Sequence, residues 1–206
     1  MHISTLLNSI PLQLFRVPDG SVKRFRFKDV LPNKRTYSHL SNTISWLEKA
    51  GLIYKVFNVE CLPRIPLRAF TKENMFKLFI FDVGMLGAML ELSYNDLLDQ
   101  DYGMIKGFFA ENFVACELKA LGHGSLYSWA ESKSEIEFLY VTGESEIIPV
   151  EVKSGRRTKA KSLKSYMERY SPEKTVKLVG KVGGSDKKNL VLPLYYAGKL
   201  NEILDA

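Results

Sequence analysis

The chain has 206 residues, a length that suits one large or two small domains, and its 46% hydrophobic and 25% charged content is that of an ordinary globular protein. No apolar run approaches the roughly 18 residues of a membrane span, the N-terminus lacks the basic and apolar segments of a signal peptide, and Cys61 and Cys116 stand too far apart in sequence to suggest a disulfide framework. Those features suit a reducing, cytoplasmic setting with no membrane partner, and the three scattered histidines without a CxxC pair offer no zinc-ligand cluster.

The net charge of +6 is unevenly placed. Residues 101–152 hold 3 Lys/Arg against 9 Asp/Glu, whereas residues 153–188 hold 12 against 3, so an acidic block gives way to a basic one at Lys153. Metal-dependent chemistry on a polyanion would use that order, with carboxylates for the cation and basic side chains for phosphates. A solubilising lysine-rich surface is the other reading of the basic run.

In chain order, residues 1–20 read as a short apolar helix and then a loop marked by Pro11, Pro18 and Gly20. Residues 21–28 interleave basic and aromatic side chains; they read as a nucleic-acid contact or as a strand or helix entry that buries Phe25 and Phe27. Residues 36–50 form the clearest N-terminal helix, with Leu40, Ile44 and Leu47 at helical spacing and Gly51 as its terminator. A strand over 52–59 follows, and residues 65–70 are expected to pair with it after a turn at Pro63. Helices followed by a hairpin suggest a winged-helix-like domain over residues 1–100, binding DNA or docking a protein. Residues 77–83 form an apolar strand, with Asp82 capping the next helix. Residues 92–101 read as a helix and linker, and the domain boundary is expected near residue 100.

The second half reads as helix 102–121, strand 125–130, a hairpin over 134–154, helix 160–170 with Leu163, Tyr166 and Met167 inward, strand 175–181, a loop at 183–186, strand 189–197 and a closing helix 199–204. On the first helix Glu111 shares the stripe of Phe108, Ala115 and Leu118, an unusual place for an acid unless it is paired with a base or faces a polar site. In the hairpin, period-two alternation puts Glu135, Glu137, Leu139 and Val141 on one face. Glu151 and Lys153 share one face of the next strand, with Ile148, Val150 and Val152 on the other. Charges at the end of so apolar a strand need pairing, solvation or a metal. Trp129, Tyr195 and Tyr196 read as packing residues.

The fold class is therefore α/β (α+β), and the arrangement resembles the PD-(D/E)XK restriction-endonuclease-like fold, with a mixed-sheet domain over 101–206. The resemblance implies that Glu137 takes the place of the first acid, that Glu151, Val152 and Lys153 form the Glu-X-Lys motif, and that Glu111 matches an accessory acid. The segments 107–114, 149–155 and 192–195, with 45–53 and 77–84 in the first half, are similar to the C-terminal part of a prokaryotic AAA-type ATPase family. No GxxxxGK[ST] loop occurs, so the chain is not expected to hydrolyse ATP by itself, and a separate ATPase subunit becomes a possible partner. The chain would then be a fragment or a stand-alone relative of such an ATPase. Glu137 departs from the Asp usual at its position.

What the resemblance implies is a Mg²⁺ or Mn²⁺ ion held by Glu137, Glu151 and the Val152 carbonyl, with Lys153 positioning the attacking water. A lysine beside two carboxylates is expected to stay protonated. Arg156, Arg157, Lys159, Lys161 and Lys164 would hold the backbone of a nucleic acid, DNA above all. The alternative is a non-catalytic module that binds nucleic acid or protein and serves as the regulatory part of an ATPase.

Overall fold

The apolar runs of both halves of the chain join one sheet. The structure, a computed structural model, describes residues 2–15, 24–33, 35–93, 95, 104–132, 134–154, 161–180, 183–185 and 188–205. Among these, eight strands form a mixed sheet in the order β2-β1-β3-β4-β5-β6-β8-β7. They are β1 (Ile53–Val59), β2 (Thr71–Ile80), β3 (Leu126–Glu131), β4 (Ser134–Val141), β5 (Ile147–Lys153), β6 (Thr175–Val179), β7 (Gly184–Ser185) and β8 (Asn189–Pro193). The helices are α1 (Ile3–Phe15), α2 (Tyr37–Lys49), α3 (Val83–Met89), α4 (Met104–Ala120), α5 (Lys161–Tyr170) and α6 (Leu200–Leu204).

The first half meets the second where β1 pairs in parallel with β3, from Val56 opposite Leu126 to Val59 opposite Trp129. The apolar stripes explain the layers. Leu6 and Ile10 of α1, Leu40, Ile44 and Leu47 of α2, and Phe108, Val114 and Leu118 of α4 are buried in one cluster with Phe138, Val150 and Val152 of the sheet. A second cluster gathers Trp129, Ile136 and Leu139 with Leu163 and Tyr166 of α5, which packs on β4. The sheet thus lies between α4 and its neighbours on one face and α5 on the other.

Several expectations change. Helix α1 runs through Pro11 rather than stopping there. Proline removes one N–H from the helix ladder, but the burial of Leu6, Ile10 and Leu14 along one side offsets that loss. Residues 65–70 do not pair with β1. Residues Leu67–Phe70 form a 3₁₀ turn, and the partner of β1 is β2, from Val59 opposite Thr71 to Ile53 opposite Ile80. The nearest turn signal, Pro63, does not close this hairpin.

At the C-terminal end the strand expected over 189–197 stops at Pro193, and Leu194–Lys199 coils as a 3₁₀ segment packed on α4. The loop at 183–186 contains the short strand β7, paired to β8. Met167, Tyr195 and Tyr196 face solvent rather than the interior. The helix and linker expected over 92–101 lie almost wholly outside the described residues. Asp82 caps α3 as expected, its Oδ1 accepting the Met85 N–H at 2.7 Å. No helix of the described residues is long and apolar enough to cross a membrane.

Candidate acidic site at the end of the β4–β5 ladder

Strands β4 and β5 pair from Val141 opposite Ile147 to Phe138 opposite Val150, and there the ladder stops. Past that point the Val152 N–H donates to Glu137 Oε2 at 3.1 Å. The Lys153 ammonium donates to Glu137 Oε1 at 3.2 Å and lies 2.5 Å from Glu151 Oε1. The structure therefore brings Glu137, Glu151 and Lys153 together. Glu151 is only 1% exposed, and its Oε2 is buried without a hydrogen bond.

The strict alternation expected along β4 fails. Two steps on β3, from Tyr127 to Trp129, span three on β4, from Leu139 to Ile136. This bulge shifts the parity of the strand, so Ile136 and Leu139 enter the cluster under α5 while Phe138 and Tyr140 enter the other. Glu135 and Glu137, expected side by side on one face, consequently serve different cations. Glu135 pairs with Lys77 of β2, and Glu137 with Lys153.

Lys77 is a member of the cluster that sequence reasoning missed. It is 5% exposed inside an apolar strand and lies between Glu135 and Glu111, whose Oε2 is 3.6 Å away. Of the two readings for Glu111, a base partner or a polar site, the structure shows the base partner. A lone lysine within Met-Phe-Lys-Leu-Phe-Ile was the available signal.

The electrostatics follow from burial. Burial raises the Glu137 carboxyl to about 8, the charge of Glu151 adds to the rise, and Lys153 opposes it. Burial also raises Glu151, against the pull of Lys153. For Lys153 burial acts downward, but Glu137 and Glu151 outweigh it and hold the ammonium above its ordinary value, as expected for a lysine between acids. Lys77 is raised in the same way by Glu135 and Glu111.

Do these residues suit a divalent cation? Among the described residues no group of three His, Cys, Asp or Glu side chains is placed to hold one. Glu137 and Glu151 are the paired acids, and Mg²⁺ commonly takes one or two carboxylates and keeps waters and phosphate oxygens. Glu151 has an unbonded oxygen, and once Glu137 gives up its proton near pH 8 two carboxylates face the single charge of Lys153, a donor set then short of positive charge. The donor chemistry of Glu137 and Glu151 fits, and Glu111, paired with Lys77, adds its charge to the rise at Glu137.

Just beyond Lys153 the backbone is closely packed. The Gly180 N–H donates to Lys153 O at 3.1 Å, and a Cβ at position 180 would meet Ser154 O at 2.8 Å. Glycine at 180 therefore lets the end of β6 close against the end of β5. Of the basic residues expected to grip a nucleic acid, Arg156, Arg157 and Lys159 lie outside the described residues. Lys161 and Lys164 are exposed on α5, and Lys164 also lies 3.7 Å from Glu168. The histidines take other contacts: His123 packs edge-on against Tyr140, and His39 Nδ1 lies 3.2 Å from Thr36 Oγ1.

Two family models divide the chain. Residues 106–195 match DUF4143, a domain of unknown function, and residues 2–96 match DUF8612, another domain of unknown function. No curated protein and no solved structure matches the chain.

Proposed function

We propose that the cluster at the end of β4 and β5 is a divalent-cation-dependent phosphodiesterase site of the PD-(D/E)XK kind, acting on nucleic acid. The observation that carries this reading is the convergence of Glu137, Glu151 and Lys153 where the β4–β5 ladder stops. Two acids and a lysine from adjacent strands, one acid with an unbonded oxygen, match the residue types that phosphodiester hydrolysis needs.

Glu137, Glu151 and the Val152 carbonyl would hold Mg²⁺ or Mn²⁺, which supplies a bound water of lowered pKa and neutralises charge on phosphorus. Lys153 remains an ammonium, so it orients and polarises rather than takes a proton. Glu137 must give up its proton to act as a ligand, and it does so more readily as the pH approaches 8. Lys161 and Lys164 add exposed positive charge for the phosphate backbone.

A second reading has its own support. Lys153 already balances Glu137 and Glu151, and Lys77 balances Glu111 and Glu135, so the cluster holds together as an internal ion network. Under that reading the domain is a non-catalytic binding part of an AAA-type ATPase assembly, in line with the ATPase resemblance of the segments 107–114 and 149–155.

Incubation of the chain with supercoiled plasmid and Mn²⁺ or Mg²⁺ separates the two. The nuclease reading expects nicked and linear products that disappear in EDTA and in the Glu151→Gln and Lys153→Met variants. Intact plasmid at every metal concentration, or cleavage that survives both substitutions, rejects it.

A further inference from the structure

A second charged feature lies in the first half of the chain. An open cavity of about 770 Å³ is lined by Arg24, Arg26, Lys28 and Arg35, with Glu60 and Met75 among its other walls. All four basic residues are exposed. The acid on the wall is already engaged, since Glu60 Oε2 lies 2.5 Å from Lys72 Nζ. The groove is therefore electropositive.

The residues between the cations hold them in place. Phe25 is 5% exposed and stacks on Phe76, and the Phe27 ring packs edge-on against Phe76 and beside Tyr37. The Phe25 N–H donates to Phe76 O at 2.8 Å. Gln13 of α1 clasps the Arg26 main chain at both ends, donating to its carbonyl at 3.1 Å and accepting its N–H at 2.7 Å. Arg24 points a guanidinium nitrogen at Met75 sulfur, 2.9 Å away. Aromatic rings go inward, basic groups go outward, and the backbone between them is fixed from two sides.

We propose that this groove binds the sugar–phosphate backbone of a nucleic acid. A row of cations at every second residue presents regularly spaced charge, and the guanidinium fork matches phosphate geometry. No ring of this segment is turned outward to stack on a base, so binding is led by phosphate and indifferent to sequence. The spread of the cations along a fixed segment suits an extended polyanion better than a single phosphate group. The groove does not depend on the carboxylate site, and binding here stands whether or not that site cleaves.

The test uses fluorescence anisotropy of the full chain in EDTA with labelled 20-mers: single-stranded DNA, duplex DNA and RNA. The Arg24→Ala/Arg26→Ala/Lys28→Ala variant is expected to bind at least tenfold more weakly. Its slope of log K against log salt should fall by about 2 for a single strand, at about 0.7 for each lost phosphate contact. Exposed side chains of this kind contribute little to folding, so the melting temperature should stay near that of the wild type. The EDTA removes any divalent metal, which keeps this result separate from any failure of cleavage. Unchanged affinity and slope in the triple variant, no binding by the wild type, or equal competition by polyglutamate would each overturn the proposal, the last in favour of an acidic protein partner.

Discussion

Lys153 Nζ lies 2.5 Å from Glu151 Oε1, two residues back on the same strand, and the same ammonium reaches Glu137 across the sheet at 3.2 Å. One positive charge thus serves two buried acids. The group is neutral only if one acid keeps its proton, and Glu137, raised to about 8 by burial and by Glu151, is that acid near neutrality.

Stability should therefore fall as pH rises through the neutral range. The Glu137 pKa is raised in the folded chain over its ordinary value of about 4.3 in the unfolded one, so the folded state binds the extra proton between those limits. The contribution is complete below the ordinary carboxyl range and is lost as pH climbs through 8. Glu151 acts in the same direction. Lys77 and Lys153, both raised, lose their share only in strong alkali and leave this window untouched. Urea midpoints from pH 5 to 8.5 should decline for the wild type and decline less for Glu137→Gln. Parallel curves for the two proteins would remove the assignment.

Lys153→Met leaves two acids in the interior without their cation. Breaking a buried pair by removing one partner costs about 3 kcal/mol or more. The deficit should be largest near pH 8 and shrink toward pH 5, where both acids take up protons. Adding Glu151→Gln to Lys153→Met should recover part of the loss. Chemical denaturation of the four proteins of this cycle gives the coupling directly, and additive losses would mean that the two side chains do not sense each other.

The metal reading makes a prediction about which acids matter. Mn²⁺ should raise the melting temperature of the wild type, since a ligand at 100 times its Kd adds about 2.7 kcal/mol to folding. The shift should vanish in Glu151→Gln. It should persist in Glu111→Gln, because the Glu111 carboxylate already pairs with Lys77, 3.6 Å away. Loss of the shift in both variants would add Glu111 to the ligands.

Much of this arrangement is legible in the amino-acid sequence. Apolar runs broken by turn residues mark β1, β4 and β5, and the odd placement of Glu111, Glu151 and Lys153 marks the site. The rest depends on long-range pairing. Lys77 belongs to the cluster because β2 is folded back to bring it beside Glu135, 58 positions further along the chain, and no local pattern encodes that approach. The bulge in β4 is equally invisible to alternation, because it exists only relative to β3. Pro63 and the residues after it carry a hairpin signal, yet the strand with the longer apolar stretch, Met75 to Ile80, wins the pairing with β1.

Asn112 carries a last expectation, about how α4 is fastened. Its side chain is fully buried and holds the main chain of Ile80 at both ends: Oδ1 accepts the Ile80 N–H at 2.9 Å, and Nδ2 donates to the Ile80 carbonyl at 2.8 Å. Ile80 ends β2, the outermost strand on that side of the sheet, so α4 supplies what a further strand would have supplied. Asn112→Ala removes both bonds, leaving the buried Ile80 N–H without a partner and its C=O with only the weak Cys116 thiol contact at 3.6 Å, a loss of roughly 1–3 kcal/mol. Asn112→Asp should be at least as damaging, because a carboxylate has no donor for the Ile80 carbonyl and would be charged in the interior. Hydrogen exchange in Asn112→Ala should show Ile80 losing protection while Val150, in the middle of the sheet, keeps its own. Unaltered protection at Ile80 would show that the edge of β2 is closed by something other than this amide.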